Sequence, residues 1–257
     1  MPEHIDLAHL LALVSEAGRA IMEIYSQAFE VTHKSDDSPL TLADMASNNI
    51  IVAGLTERYP HLPIISEETK QTDYVVRKNW ETYWLIDPLD GTKEFVKRNG
   101  EFTINIALIY QRQPIVGLVY VPAQELTYYA LKGEGSFKLE KGGQPIRLAI
   151  SPIVPGQPVL TFASRSHRNQ ATDDFIETIA KQYGPVTVVG AGSALKFCLV
   201  AEGKAHFYPR FSPCMEWDTA AGHLVATEAG ATVVQPDGSP LLYNKEDLLS
   251  PSFIVSV

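Results

Sequence analysis

This 257-residue chain has little cysteine, no long uncharged apolar run and no excess of basic residues. Cys198 and Cys214 are too few for a disulfide framework and stand in no metal-ligand spacing, so we expect free thiols in a reducing compartment. No uncharged apolar run approaches the ~20 residues that span a bilayer. Glu3 and Asp6 also interrupt the basic-then-apolar start of a signal peptide. These absences predict a cytoplasmic protein and leave peripheral attachment at the cytoplasmic face of the inner membrane open.

The charge balance excludes one broad class of partner. With 30 acidic and 21 basic residues the net charge is −9, whereas a general nucleic-acid binder usually presents a basic surface. A content of 45% hydrophobic and 20% charged residues is ordinary for a globular protein, and the length fits one large domain or two small ones that share a core. An anionic substrate would therefore need bound cations or a few well-placed Lys and Arg side chains.

Apolar spacing predicts helices first, then strands, then an alternation of both. Helices are expected over 5–26 and 42–59, with a loop at 33–39 between them. Short runs rich in Val, Ile, Thr and Tyr predict strands at 64–65, 83–87, 103–110, 115–121 and 126–131. The second half predicts strands at 159–163, 186–189, 206–208, 232–234 and 253–257, and helices near 169–183, 194–202 and 218–229.

Proline and glycine cluster at residues 151–158, which predicts a boundary between two subdomains. We expect an α+β subdomain over 1–153 that carries most of the metal ligands. An α/β subdomain over 154–257 would carry the specificity residues and Asp218.

The most informative segment is 83–92, where an apolar run with the pattern of a buried strand stops at Asp87. Asp90, Gly91 and Thr92 follow around a proline turn, which can direct both carboxylates into one pocket. Carboxylates suit Mg²⁺, and glycine followed by the first amides of a helix suits a phosphate group. On these residues alone, a plain surface turn is an equally good interpretation.

Three further acidic positions are ordinary when taken singly. Glu67 and Glu68 end another apolar run and could be a solvated acidic patch. Asp44 lies in a predicted helix, where an exposed position is usual. Asp218, after Trp217, has the position of a helix N-cap.

Together these segments resemble the inositol monophosphatase family, whose members are metal-dependent, lithium-sensitive phosphatases. Glu67 and the segments 42–44, 87–92 and 217–222 occur in the order and context of that family, and the resemblance covers essentially the whole chain. Longer strings at 87–95, 99–103, 164–167, 195–203 and 208–211 resemble the bacterial bisphosphate nucleotidases within it. The resemblance implies a layered α-β-α-β-α sandwich, of mixed α/β and α+β character, of the inositol monophosphatase and fructose-1,6-bisphosphatase type.

The resemblance also implies roles for the acidic residues. Two or three Mg²⁺ ions would be held by side chains or carbonyls of Glu67, Asp87, Leu89, Asp90 and Asp218. Gly91 and Thr92 would contact the scissile phosphate, and Thr92 with Glu67 or Asp44 would assist the attacking water. Asp44 concerns an additional, weaker metal site.

The implied substrate is a nucleotide with two phosphates, adenosine 3',5'-bisphosphate and in addition its sulfated form. By resemblance the residues that meet it are Ser164, His167, Ser193, Lys196, Arg210 and Asp218. Strand ends that lead into helices are common ligand positions, and cationic donors suit the phosphate that is not cleaved. A homodimer is left open.

Two rival functions remain at this stage. An inositol-phosphate or other sugar-phosphate phosphatase would use the same metal centre, although residues 93–95 and 195–197 follow the nucleotidase pattern. A non-catalytic nucleotide sensor would need no water-activating hydroxyl at Thr92.

Two other patterns support no function. The Gly-Ala-Gly at 190–192 lacks the third glycine of a dinucleotide-binding fingerprint, so we reject that interpretation. The segment 213–216 departs from the family pattern at a variable place, and we infer nothing from it.

Overall fold

A computed structural model describes residues 5–27, 39–163 and 169–257. Within these ranges the chain forms seven α-helices: α1 Leu7–Ser26, α2 Pro39–Arg58, α3 Tyr74–Arg77, α4 Thr92–Val96, α5 Gln170–Tyr183, α6 Leu195–Ala201 and α7 Glu216–Glu228. The strands of the first half are β1 Ile64–Ser66, β2 Thr82–Asp90, β3 Thr103–Tyr110, β4 Gln113–Val121, β5 Leu126–Leu131, β6 Gly135–Glu140 and β7 Ile146–Arg147. Those of the second half are β8 Val159–Phe162, β9 Val186–Val189, β10 Phe207–Arg210, β11 Cys214–Met215, β12 Thr232–Val234, β13 Leu249–Ser250 and β14 Phe253–Ser256.

Two sheets organise these strands. The seven-stranded sheet keeps chain order from β1 to β7, and only its first pair, β1 with β2, is parallel. The five-stranded sheet has the order β12-β14-β10-β8-β9, in which β8 runs parallel to both β9 and β10. A small antiparallel pair joins β11 to β13 beside the start of α7. Loops that leave parallel strand ends in both sheets therefore bring residues of both halves together.

The packing order of helices and sheets gives five layers. Helices α1 and α2 cover one face of the seven-stranded sheet, where alternate residues such as Trp84 and Ile86 are buried. Helices α6 and α7 cover the opposite face, which presents Tyr83 and Leu85. The other side of α6 and α7 packs on the five-stranded sheet, whose outer face is covered by α5. The α-β-α-β-α sandwich is confirmed.

Helix α7 lies in the middle of this sandwich and approaches β4 unusually closely. An ideal Cβ built on Gly117 would lie 2.6 Å from the backbone oxygen of Ala221, so only glycine fits there. One buried cluster joins side chains of the first sheet to α6 and α7. The sheets separate between β7 and β8, but this shared core links them, and the division at 153/154 stays a prediction.

Most predicted elements occur near their predicted bounds, with three differences. Pro39, expected in the loop, opens α2, where its fixed φ and missing N–H are tolerated. Strand β2 continues past Asp87 to Asp90. Helix α7 begins at Glu216, so Asp218 lies in its first turn and is not its N-cap. Residues 33–38 of the predicted loop lie outside the described ranges.

Among the helices of residues 5–27, 39–163 and 169–257, none combines the length and the apolar character needed to cross a membrane.

Candidate metal and phosphate site

A β-bulge at the end of β2 brings two carboxylates to the same place. Asp87 pairs with Asn105 and Asp90 with Thr103, so three steps along β2 oppose two along β3. In a regular strand, residues three apart point to opposite faces. The bulge removes that constraint, and Asp90 lies near enough to contribute to the raised pKa of Asp87, behind the larger effect of burial.

The turn is fixed by hydrogen bonds on both sides. The Leu89 N–H donates to the Asp87 Oδ1 at 3.1 Å, and the Ser47 hydroxyl of α2 donates to the Pro88 carbonyl at 2.8 Å. Ser47 thus connects the turn to the helix that carries Asp44. Sequence reasoning missed this serine, because a single hydroxyl in a helix carries no pattern.

Three carboxylates meet where the two halves of the chain touch. Oxygen atoms of Glu67, Asp87 and Asp218 all lie within 4.8 Å of one another. The first two are neighbours because β1 and β2 are parallel, with Ser66 beside Ile86, so the next residues of each strand share one edge. Asp218 comes from α7. The predicted grouping of these acids is therefore present in the geometry.

The start of α7 orients Asp218. Its Oδ2 accepts the Met215 N–H at 2.9 Å, which satisfies an amide just before the helix. Burial, followed by the charge of Asp90, raises the pKa of Asp218 to about 7. One carboxylate oxygen is thus held by the backbone, while the group stays close to Glu67 and Asp87.

Asp44 adds a fourth carboxylate from α2. It is 8% exposed, and its Oδ1 is buried with no hydrogen-bond partner. Burial, and then the charges of Glu68 and Glu67, raise its pKa to about 8. An unpaired buried carboxylate is costly unless a cation or proton neutralises it.

The donor set fits a divalent cation. Burial and mutual repulsion raise the pKa values of Glu67 and Asp87, so ionising all of these acids together is unfavourable in the protein alone. A cation among them would offset both costs. A set of oxygen donors is what Mg²⁺ prefers, and neither cysteine is close in the cluster. The residues present therefore fit a magnesium site.

Asp90 stands outside the group of three and lines the adjoining pocket. Its Oδ2 accepts the Ala194 N–H at 2.6 Å and the Asn105 side-chain amide at 3.4 Å. Burial raises its pKa, and the Lys196 ammonium and the Ala194 N–H oppose that rise. Asp90 thus joins the acidic cluster to the loop before α6.

Gly91 and Thr92 form the predicted turn into a helix. Gly91 is the N-cap of α4 with a left-handed φ of 95°, and a Cβ there would lie 3.2 Å from the Phe102 Cα. Thr92 is exposed and lines the pocket beside Asp90. The first amides of α4 have no partner within the helix. This turn can therefore approach a phosphate group closely.

The pocket itself has a volume of about 230 Å³ and carries two cations. Lys196 is only 3% exposed; its ammonium donates to the Ala191 carbonyl at 3.2 Å and the Ser193 carbonyl at 2.7 Å. Burial lowers the pKa of Lys196 to about 8, against the effect of Asp90. Arg210 on β10 donates from Nε to the Ser212 carbonyl and also lines the pocket.

The predicted substrate residues are thus only partly tested by the geometry. Ser193, Lys196, Arg210 and Asp218 line one pocket, while Ser164 and His167 lie outside the described residues. Besides Ser47, sequence reasoning missed Asn105. The signal was present, because Thr103 and Asn105 place polar groups at alternate positions of an otherwise apolar strand.

A five-layered sandwich that sets an acidic cluster beside a cationic pocket is the architecture of a phosphatase. The chain belongs to the inositol monophosphatase family, whose model matches residues 5–255. The family resemblance stated from the sequence is confirmed.

Known relatives support this assignment over the full length. The 3'(2'),5'-bisphosphate nucleotidase CysQ of Salmonella typhimurium is 46% identical over 254 residues, covering 98% of this chain and 99% of that protein. The crystal structure of CysQ from Bacteroides thetaiotaomicron superposes with a TM-score of 0.88 at 43% identity, covering 99% of this chain and 98% of that one. Inositol monophosphatase II from Staphylococcus aureus, with a TM-score of 0.78 at 23% identity, covers 97% and 90% and shares the fold alone.

Proposed function

We propose that this chain is a Mg²⁺-dependent 3'(2'),5'-bisphosphate nucleotidase of sulfur assimilation. It hydrolyses the 3'-phosphate of adenosine 3',5'-bisphosphate and releases AMP and inorganic phosphate. The observation that carries the proposal is the buried ammonium of Lys196, in a pocket that also contains Asp90 and Asp218 of the acidic site. Relatives at 45–46% identity over 98% of the chain are named as nucleotidases of this kind.

The pocket suits a substrate with two phosphates. The acidic side, with its cations, takes the phosphate that is cleaved. The Lys196 ammonium and the Arg210 guanidinium offer charge-assisted hydrogen bonds to the phosphate that is kept, and Ser193 lies between the two sides. An inositol monophosphate has no second phosphate to place there.

The metal ligands in this proposal are the carboxylates of Glu67, Asp87, Asp90 and Asp218 and the Leu89 carbonyl. Bound Mg²⁺ supplies positive charge that stabilises the negative charge developing on the phosphate and the leaving oxygen. Asp44, unpaired and buried beside Glu67, would hold an additional, weaker ion.

The other residues position water and substrate. The Thr92 hydroxyl holds the attacking water, and the Glu67 carboxylate accepts its proton, with Asp44 as the second candidate for that role. The water oxygen attacks phosphorus in line with the ester bond. The bond between phosphorus and the 3'-oxygen breaks, and that oxygen takes up a proton. Gly91 allows the phosphate to approach the backbone. Ser164 and His167 are assigned to the nucleotide by resemblance only.

The proposal includes a cytoplasmic location, in keeping with two free, buried cysteines. Lithium sensitivity is part of it as a family property. Peripheral membrane association, a homodimer and turnover of the sulfated nucleotide stay predictions.

A substrate panel tests the function. Phosphate release from adenosine 3',5'-bisphosphate should exceed release from inositol 1-phosphate, require Mg²⁺, stop on addition of EDTA and be inhibited by lithium. Asp90→Asn keeps the shape and an oxygen for the Ala194 N–H but removes a charge, so turnover should fall at least about 100-fold.

Three results would contradict the proposal in different ways. Faster turnover of inositol 1-phosphate would favour the rival phosphatase. Nucleotide binding without turnover would indicate a sensor. Full activity of Asp90→Asn would refute its role in the metal site.

A further inference from the structure

The loop at residues 190–194, between β9 and α6, forms one wall of the pocket and needs support from outside. Ser193 has a left-handed φ of 46°, which is unfavourable for a residue with a side chain. The ammonium of Lys196 accounts for two of its carbonyls. The amide groups of the loop must therefore find partners elsewhere.

Two carboxylates from the first half of the chain hold these amides. Asp90 accepts the Ala194 N–H at 2.6 Å, and Glu101 accepts the Gly192 N–H through its Oε2 at 2.9 Å. Asp90 belongs to the acidic site described above, whereas Glu101 has no role in it. The Gly192 amide is buried, so loss of its acceptor would leave an unsatisfied donor.

Glu101 is held in a built turn. The side-chain oxygen of Asn99 accepts the Glu101 N–H at 3.0 Å, and Gly100 between them has a left-handed φ of 73°. The Asn99 N–H in turn donates to the Glu94 carbonyl of α4 at 3.3 Å. The carboxylate is thus presented from the same unit that carries Thr92.

The loop and this turn are also in close backbone contact. A Cβ built on Gly192 would lie 2.8 Å from the Glu101 carbonyl oxygen and 2.5 Å from the Glu94 Cγ. Glycine is therefore required for the loop to lie this close. The negative charge of Glu101 also opposes the lowering of the Lys196 pKa that burial causes.

We propose that Glu101 is a positioning residue for nucleotide specificity. Its carboxylate holds the 190–194 loop against the unit of α4, so that Ser193 and Lys196 face the phosphate that is not cleaved. This inference rests on the proposed function, because the second phosphate is what the loop would recognise.

Glu101→Ala and Glu101→Gln separate positioning from general stability. The alanine variant removes the acceptor, whereas the glutamine keeps an oxygen of the same reach. We expect the Kd for adenosine 3',5'-bisphosphate, measured by calorimetry in EDTA, to rise about tenfold in Glu101→Ala and to change less than about twofold in Glu101→Gln. With Mg²⁺, the nucleotide KM should rise by the same factor, and kcat for p-nitrophenyl phosphate should be unchanged.

The controls keep the outcome decisive. Glu177→Ala, an exposed glutamate on α5, should leave every value unchanged. Gly192→Ala displaces the same loop with Glu101 intact and should reproduce the selective loss, which covers the case of a Glu101→Ala variant that folds poorly. Equal losses on both substrates, or an unchanged nucleotide Kd in Glu101→Ala, would overturn the inference alone. Failure of the wild-type protein to bind the nucleotide would overturn the proposed function and the inference together.

Discussion

Lys196 is the residue whose environment says most about the substrate. A buried ammonium loses hydration, and two backbone carbonyls replace only part of it. Its pKa of about 8 shows that the protein bears this cost, with Asp90 nearby as partial compensation. Such a cost is understandable when the cation meets an anionic group of a ligand.

Lys196→Met removes this charge and keeps a side chain of similar length. Hydrogen bonds to charged groups contribute ~1.5–3 kcal/mol, so kcat/KM for adenosine 3',5'-bisphosphate should fall about 10- to 100-fold. Inositol 1-phosphate turnover should fall far less. Steady-state kinetics on both substrates measure the difference, with exposed Lys204→Met as the control. Equal losses on both substrates would refute a role in recognising the second phosphate.

The residues that could be predicted are those with a local pattern. Asp87, Asp90 and Thr92 stand in one short turn, and Asp218 follows a tryptophan at a helix start. Glu101 and Ser47 could not be found this way, because each acts through a contact with residues 91 and 41 positions away. Contacts of that range depend on the folded arrangement.

At the scale of elements, hydrophobic periodicity located β2 and α7 but not their ends. The bulge in β2 depends on pairing with β3, which no property of β2 alone reveals. The early start of α7 depends on its capping by Met215 and Asp218. Both differences concern the residues that build the site, where local preference is overruled by tertiary contacts.

The close contact between β4 and α7 gives a prediction at this scale. Gly117→Ala would push α7, which carries Asp218, away from the sheet, because the obstacle is backbone that cannot rotate aside. We expect the free energy of unfolding to fall by about 1–3 kcal/mol and the Mg²⁺ concentration for half-maximal activity to rise. Urea denaturation and metal titration measure these effects.

Gly54→Ala on α2 is the matched control, since its Cβ would meet only the end of the flexible Leu13 side chain. It should change stability little and the Mg²⁺ requirement not at all. An unchanged Mg²⁺ requirement in Gly117→Ala would show that α7 does not transmit its packing to the site.

At the scale of the whole molecule, the strands were predictable but their assembly was not. Periodicity cannot say that α6 and α7 lie between two sheets, and the five-layered arrangement was expected only from the family resemblance. That arrangement is what brings Glu67, Asp87 and Asp218 together from three separate elements. It also concentrates negative charge inside a protein whose net charge is already −9.

This concentration makes stability depend on pH in a definite direction. Carboxyl groups of an unfolded chain titrate near pH ~4. In the folded, metal-free protein, burial and repulsion raise the pKa of Asp44 to about 8 and that of Asp218 to about 7, and raise those of Glu67 and Asp87. The folded state therefore binds more protons, and its stability from these groups is present below pH ~4 and is lost as the pH rises through the raised values.

Magnesium competes with protons for the same oxygens, so its effect on stability should grow with pH. After EDTA treatment and dialysis, Mg²⁺ should raise the Tm more at about pH 8 than at about pH 5.5. Asp218→Asn removes one charge from the cluster and should narrow that difference, whereas exposed Glu177→Gln should not. An equal rise in Tm at both pH values would mean that the ion binds elsewhere, because at this cluster protons must be displaced before the metal can bind.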